Sequence, residues 1–356
     1  MKHKGKVRYA VVGLSHGMEH VGVALKNSRV EVVAVCDRDK AKTKQALAHV
    51  RDAQGAEAAG RIGAFDDYRR MLDWGEFDAV VISTPVMAHK DMAIQAVKAR
   101  KHVLLEKPMT VTMAEADELR AACKGSKTVC QIGYEVRSSQ MVRRVTELIR
   151  SGKIGDVVFV WWHSFLLCEI RGWRSERKNM GGKLFDCCCH YWDILQLFAG
   201  ARFHRVSAFG SRQGGIGPNA DQIPSVATVN FEYQNGVKGN LSSSEISPTP
   251  EASLFGVVGT NGIIYGNPWR PEGAGSLDCY TEGCLYREQI TISGALASRG
   301  HLGFREQHEA FLDSILQGAP VVCTVDDGYE VVLLNTAVDQ SIATGKVVLR
   351  DDLARG

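Results

Sequence analysis

The chain has 356 residues, 45% hydrophobic and 23% charged, with a formal net charge of +3. That length is more than one hydrophobic core comfortably serves and favours two domains. The charge is too small to argue for nucleic acid or an anionic membrane surface as a partner, and no apolar run approaches the ~18 residues that span a bilayer.

The basic start Met1-Lys2-His3-Lys4 leads into Val7-Arg8-Tyr9-Ala10-Val11-Val12-Gly13. Arg8 interrupts any signal-peptide core there, so a first strand and a cytoplasmic protein are expected. The ten cysteines form no CxxC, which favours free buried thiols. Cys187-Cys188-Cys189-His190 has the look of a metal cluster. Consecutive helical residues point about 100° apart and cannot converge on one ion, so no metal is expected. Cys279 and Cys284 fall in a strand–turn–strand, with a structural bridge as the alternative to two free thiols.

In chain order, apolar runs at Val7–Val12, Val30–Cys36, Ala79–Ser83 and His102–Leu105 read as strands. Amphipathic stretches near 18–27, 39–50, 66–73, 87–99 and 112–123 read as helices. This alternation predicts an α/β parallel sheet covered by helices, with the loop after every strand on one carboxyl edge. After about Thr128 the pattern changes. Helices are expected at 138–151 and 183–199. Strands follow at Phe203–Gly210, Val226–Tyr233, Val237–Glu245, Leu254–Val258 and Ile263–Tyr265. Asn235-Gly236 is a hairpin signal, and Gly259-Thr260-Asn261-Gly262 makes another turn. A helix pair near 304–316 and 327–343 closes the chain. The expected division is a dinucleotide-binding domain over 1–127 and an α+β domain with an open, largely antiparallel sheet over 128–356. Ligands would bind in the cleft between them.

Gly13-Leu14-Ser15-His16-Gly17-Met18 joins the first strand to the first helix, where a dinucleotide pyrophosphate rests on helix amides. Of the usual GxGxxG pattern Gly13 fits, Ser15 and Met18 replace the later glycines, and Gly17 can supply part of the permissive role. An ordinary β–α turn would look similar, so the context decides. Asp37 ends the second strand at about 20 residues' spacing, where a carboxylate accepts the ribose hydroxyls and repels a 2′-phosphate. At ~4 Å and an effective dielectric near ~20 that repulsion is a few kcal/mol. NAD is favoured, while Arg38 can pair with a phosphate and leaves NADP open. Thr84 and Pro85 can line the nicotinamide ribose, and His89 either contacts the cofactor or caps the next helix.

Glu106-Lys107-Pro108 closes the run His102–Leu105. Proline pushes the preceding residue toward extended backbone, so Lys107 projects from the strand end. There it can bond a substrate hydroxyl and stabilise charge that develops as hydride leaves. Asp186 and His190 are i and i+4, on one helical face, and Asp193 continues that face. An imidazole suits removal of a hydroxyl proton near neutral pH, with Asp186 orienting the ring or binding a neighbouring hydroxyl. Together these residues fit a nicotinamide-dependent dehydrogenase.

The combination resembles the glucose–fructose oxidoreductase / inositol dehydrogenase / rhizopine-catabolism (Gfo/Idh/MocA) oxidoreductase family over nearly the whole chain. The resemblance is carried by the glycine turn, Thr84-Pro85 with His89, Glu106-Lys107-Pro108, and Ile132-Gly133-Tyr134 with Arg137. It continues through Gly152-Lys153-Ile154-Gly155-Asp156, Trp173-Arg174, Gly181-Gly182, Asp186-x3-His190-x2-Asp193 and Gln307-His308-Glu309. It implies a Rossmann domain plus an open-faced sheet domain, a catalytic Lys107, Asp186 and His190, a cis Lys107–Pro108 bond, and a homodimer or homotetramer joined through sheet faces. The implied cofactor contacts are Gly13, Ser15, His16, Gly17, Met18, Asp37, Arg38, Thr84, Pro85, His89, Glu106 and Lys107. The implied substrate contacts are Lys107, Tyr134, Arg137, Trp162, Trp173, Arg174, Asp186 and His190. Ser15 and Met18 depart from the glycine pattern, Val86 stands where relatives often carry Asn, and Cys187-Cys188-Cys189 replaces small or apolar residues.

Five of the six tryptophans lie after residue 128, in the expected second domain. Trp161, Trp162 and Trp173 either face a sugar or cyclitol ring or pack in a core or interface. Arg171, Arg174, Arg177 and Lys178 either receive an anionic substituent or form a solvated basic loop. The expected function is an NAD(P)-dependent sugar, sugar-derivative or inositol dehydrogenase. A redox-assisted glycosidase, in which oxidation is transient and NADH returns its hydride, is the alternative. A non-catalytic NAD or sugar sensor has no need of the full trio.

Overall fold

The computed structural model describes residues 5–166, 176–180, 183–211, 224–244, 246–247, 252–269, 275–281, 286–292 and 303–353. The chain divides into two compact units, Met1–Gly133 with Phe304–Tyr329, and Tyr134–Gly303 with Glu330–Gly356.

The first unit opens with β1 (Val7–Val12), α1 (Gly17–Leu25), β2 (Val30–Cys36), α2 (Lys40–Gln54), α3 (Ala56–Gly60) and β3 (Gly63–Phe65). It continues with α4 (Tyr68–Trp74), β4 (Ala79–Ile82), α5 (His89–Lys98), β5 (His102–Glu106), α6 (Met113–Cys123) and β6 (Cys130–Gly133). The six strands pair in parallel in the order β3-β2-β1-β4-β5-β6. Strands covered on both faces need unbroken apolar runs, and Ala79–Ile82 and Val103–Leu105 supply them, fully buried. Helix starts are marked by side chains. Asp39 caps α2, Asp67 caps α4, and Thr112 with Glu115 forms a reciprocal capping box on α6. The strand order reverses between β1 and β4, the place where open parallel sheets bind ligands beyond their carboxyl ends.

The second unit begins with a 3-10 turn at Glu135–Ser138, then α7 (Gln140–Arg150), β7 (Val157–Phe165), α8 (Arg177–Met180) and α9 (Lys183–Ala199). Its sheet is extended by β8 (Phe203–Ser211), β9 (Val226–Tyr233), β10 (Lys238–Ser244), β11 (Ala252–Gly259), β12 (Gly262–Trp269), β13 (Gly275–Thr281) and β14 (Tyr286–Ile292). The chain closes through α10 (Phe304–Gln317), α11 (Val325–Thr344), β15 (Val348–Leu349) and α12 (Arg350–Leu353). The nine strands run β14-β13-β12-β11-β7-β10-β9-β8-β15, antiparallel at every step except β7 beside β10. Alternation sorts β7 into two faces. Val160, Trp162 and Ser164 are buried on the side that α9 covers, while Trp161, His163 and Phe165 lie on the other, more open side.

The first unit extends past the division expected at residue 127. β6 stays in register with β5 from Val103↔Cys130 to Glu106↔Gly133, so the parallel sheet ends only at Gly133. α10 then returns to the same unit, where Phe311 and Leu312 join Val21 and Leu104 in its core. Gln131 Nε2 donates to the Gln307 carbonyl at 3.2 Å, and Ile132 N–H to the Cys323 carbonyl at 3.0 Å. No helix among the described residues is long and apolar enough to cross a membrane.

Candidate active site

The turn after β1 is tightly built. Gly13 has φ +80°, and a Cβ there would come within 2.4 Å of the Ser83 carbonyl oxygen, which only glycine avoids. Asp37, ending β2, accepts the Leu14 N–H at 2.7 Å and the Asp39 N–H at 2.9 Å. Its carboxylate therefore fixes the turn as well as standing where a ribose would be read. Ser15 is exposed and accepts a hydrogen bond from Lys42 Nζ at 2.6 Å. Gly17 is buried against Val11, and His16 is exposed at the N-cap position of α1 with no side-chain hydrogen bond to the helix. Met18 differs from expectation: its side chain packs against the hydrophobic core, because helical spacing turns it inward beside Val21. Arg38 and Pro85 are exposed, and Thr84 is half-buried. Gly13, the α1 amides and Asp37 fit a dinucleotide.

His89 also departs from expectation. It is fully buried, with Nδ1 2.9 Å from the Pro108 carbonyl and Nε2 2.9 Å from the Thr84 carbonyl. The ring thus ties the loop after β4 to the loop after β5 and offers no edge to a cofactor. Burial lowers its proton affinity, and the two carbonyls oppose that shift. The peptide bond Lys107–Pro108 is cis, and Lys107 is half-buried.

Glu106, expected against the cofactor, is turned inward. Its Oε1 lies 3.0 Å from His20 Nε2, and its Oε2 accepts the Lys107 N–H at 3.1 Å. Burial alone would raise this carboxyl. The hydrogen bond donated by His20, helped by the positive surroundings that His16 and Lys107 add, outweighs that and holds it at about 2. Among the described residues, His16, His20 and Glu106 form the one set of three with metal-ligand atoms mutually within 4.8 Å. His20 and Glu106 already satisfy each other, and the Lys107 ammonium adds a repelling charge, so hydrogen bonding accounts for the set.

In the second unit, Asp186 and His190 lie one turn apart on α9, Asp186 in its first turn. Tyr134 meets the His190 ring edge-on, 5.9 Å between centroids at 82°. Glu135 places Oε1 3.8 Å from His190 Nε2. Sequence reading missed Glu135, whose only signal was a lone acid between Tyr134 and Val136. One turn further along α9, Asp193 receives a two-point ion pair from Arg137, with Nε to Oδ2 at 2.8 Å. The Arg137–Asp193 ion pair thereby pins the 3-10 turn to the helix, with Glu135 facing His190 one turn earlier.

Two of the expected substrate contacts are structural. Arg137 is buried and spends its guanidinium on Asp193, so it orients α9. Trp162 is fully buried, stacked between Tyr191 at 4.7 Å and Phe255 at 4.9 Å, with its indole N–H donated to Ser253. Strand alternation turns it into the core and turns Trp161 out. Trp173, Arg174 and Cys284 lie outside the described residues. The eight described cysteines are free thiols.

A glycine turn at the switch point of a parallel sheet, with a carboxylate just past the next strand, defines a dinucleotide-binding unit, and the chain carries a second, open-sheet unit. Residues 7–134 match the oxidoreductase family with an NAD-binding Rossmann fold, and residues 142–265 match the GFO/IDH/MocA C-terminal domain. The chain belongs to the GFO/IDH/MocA family, and its first unit is an NAD-binding Rossmann domain. It is 28% identical over 341 residues to scyllo-inositol 2-dehydrogenase (NAD(+)) of Bacillus subtilis (strain 168), covering 92% of this chain and 91% of that one. It is 26% identical over 300 residues to Glycosyl hydrolase family 109 protein 2 of Akkermansia muciniphila, covering 76% and 63%. Among solved structures, levoglucosan dehydrogenase in complex with NADH and L-sorbose superposes with a TM-score of 0.83 at 19% identity, over 97% of this chain and 98% of that one.

Proposed function

We propose that the protein is an NAD-dependent dehydrogenase acting on a ring hydroxyl of a sugar, sugar derivative or inositol. The observation that carries this reading is the setting of His190, its ring braced by Tyr134 and its Nε2 facing Glu135. A nearby carboxylate favours the protonated imidazole, which is what a base that receives an alcohol proton must become. Bound NAD supplies the hydride acceptor. In this reading His190 takes the hydroxyl proton, Asp186 holds a neighbouring hydroxyl, and Lys107 stabilises negative charge on the reacting oxygen. The relative acting on scyllo-inositol supports a cyclitol or sugar substrate, and Asp37 supports NAD over NADP.

Two further features belong to the same reading. Phe165, Phe209, Leu254 and Tyr265 are exposed large side chains on strands of the second sheet, which favours a homodimer or homotetramer built on that sheet. The free thiols and the use of the intracellular nicotinamide pool favour a cytoplasmic enzyme.

The test is NADH absorbance with scyllo-inositol, myo-inositol, levoglucosan, free sugars and aryl glycosides, with Lys107→Ala as control. Reduction lost in the variant is expected. Aryl release without net NADH would replace this reading by a redox-assisted glycosidase.

A further inference from the structure

A hydrogen-bonded chain of three buried titratable groups ends on the backbone of Lys107. His308 Nε2 lies 2.9 Å from His20 Nδ1, His20 Nε2 lies 3.0 Å from Glu106 Oε1, and Glu106 Oε2 accepts the Lys107 N–H at 3.1 Å. Both histidines are fully buried and Glu106 is 4% exposed. The groups come from α10, α1 and β5, all in the first unit. Phe304 packs on the His20 ring at 5.0 Å and on the His16 ring at 5.4 Å, closing the exposed side.

The direction of the chain follows from its end. A carboxylate only accepts, so His20 donates from Nε2 and offers its Nδ1 lone pair behind. Burial holds His308 well below the usual histidine value, with His20 adding to the shift, so its ring is neutral. A proton on His308 Nε2 then satisfies His20, and donors run His308 to His20 to Glu106. The opposite order leaves a buried N–H at His308 Nδ1, where no partner stands among the described residues. The β5–β6 ladder ends at Glu106↔Gly133, so Lys107 is the first residue beyond it. Glu106 Oε2 takes the place of the next strand carbonyl for the Lys107 amide.

We infer that His20 and His308 are positioning residues for Lys107. They hold the Glu106 carboxylate as a fixed acceptor for the Lys107 amide, and so set the direction in which the Lys107 side chain leaves β5. The inference rests on the reading of Lys107 as the lysine that meets the substrate. Three buried polar groups are costly where apolar ones would fill the space, and that cost is offset here by a defined geometry at a strand end.

Amide hydrogen exchange followed by NMR tests this without substrate or cofactor. His308→Leu removes the terminal donor at similar bulk, and His308→Gln keeps an N–H near the Nε2 position. In His308→Leu the Lys107 amide should lose about 10-fold protection while the amides of Val103–Leu105 keep theirs, and His308→Gln should restore it. If His308→Leu does not fold, His308→Asn, whose amide falls short of His20, takes its place in the comparison. An unchanged Lys107 amide, or equal losses in the Leu and Gln variants across α10 and β5, would overturn the inference. Turnover separates it from the reading beneath it. His308→Leu should lower kcat about 10-fold with NAD affinity unchanged, and add nothing in a Lys107→Met background. Full turnover by Lys107→Met overturns the reading of Lys107 itself, whatever the exchange data give.

Discussion

Glu135 Oε1 stands 3.8 Å from His190 Nε2, and both side chains are nearly buried. At that distance and an effective dielectric near ~20 the attraction to an imidazolium is bounded at about 4 kcal/mol, ample to move a titration. Replacing Glu135 by Gln removes the charge and keeps the shape. The acid limb of kcat/KM should then move to lower pH by about one unit, since a neutral neighbour no longer favours the protonated ring. Turnover on the plateau should fall about 10-fold as the base weakens. A pH–rate profile of both forms checks this, and an unmoved limb would separate Glu135 from His190.

The Arg137–Asp193 pair makes the opposite kind of prediction, one of stability. With side-chain exposures of 8% and 1%, removal of either partner strands a buried charge. Asp193→Asn or Arg137→Met should cost about 3–5 kcal/mol, and the double apolar variant Arg137→Met with Asp193→Leu should recover most of it. Denaturant titration of the four proteins measures the difference. Equal losses in the single and double variants would show that packing, not pairing, matters here.

In the proposed reading Asp37 selects NAD as well as holding the turn, and different substitutions separate the two. Asp37→Asn keeps an acceptor for the Leu14 amide and removes the charge, so discrimination against NADP should fall about 10- to 100-fold with little loss of stability. Asp37→Ala also abandons the turn and should lose about 1 kcal/mol of stability besides. Fluorescence titrations with NAD and NADP, beside thermal melts, give both numbers.

Acid lability should come in two stages. His308 and His89 have folded-state affinities for protons below those of the unfolded chain, so the unfolded state binds more protons as pH falls below about 6.5. The stability they contribute is whole above that pH and declines beneath it. Glu106, held at about 2 against an ordinary 4.5, adds a second loss as pH falls from about 5 toward 2. That loss is on the order of 3 kcal/mol. Melting temperatures from pH 8 to 4 should bend first near 6.5, and His308→Gln should flatten that first bend.

Local chemistry made much of this legible. The buried run His102–Leu105 ending at Glu106-Lys107-Pro108, the Asp37 at the end of β2, and the Asp186/His190 spacing on α9 each follow from short-range rules, and the structure has them as expected. Contacts between distant segments were not legible. Nothing in the vicinity of Glu135 points to a histidine 55 residues further on, and the two rings of His20 and His308 are separated by 288 positions. Trp161 and Trp162 read alike until strand alternation assigns one to each face. Glu106 looked like a ligand contact because it ends β5, and His89 because it opens the helix after the β4 loop, yet they connect strand to helix and loop to loop.

Residues 304–329 finish the NAD-binding unit after every residue of the intervening 134–303 has been made. Synthesis proceeds at about 5–20 residues per second, so the sheet of β1 to β6 waits about 10–35 seconds with the surface for Phe311 and Leu312 uncovered. Until then Ile132 lacks the carbonyl of Cys323 and His20 lacks His308. A message cut before this stretch yields a nascent chain that exposes apolar surface to chaperones and proteases. The core of the NAD-binding unit is therefore closed by a segment that the ribosome delivers 170 residues after the sheet it covers.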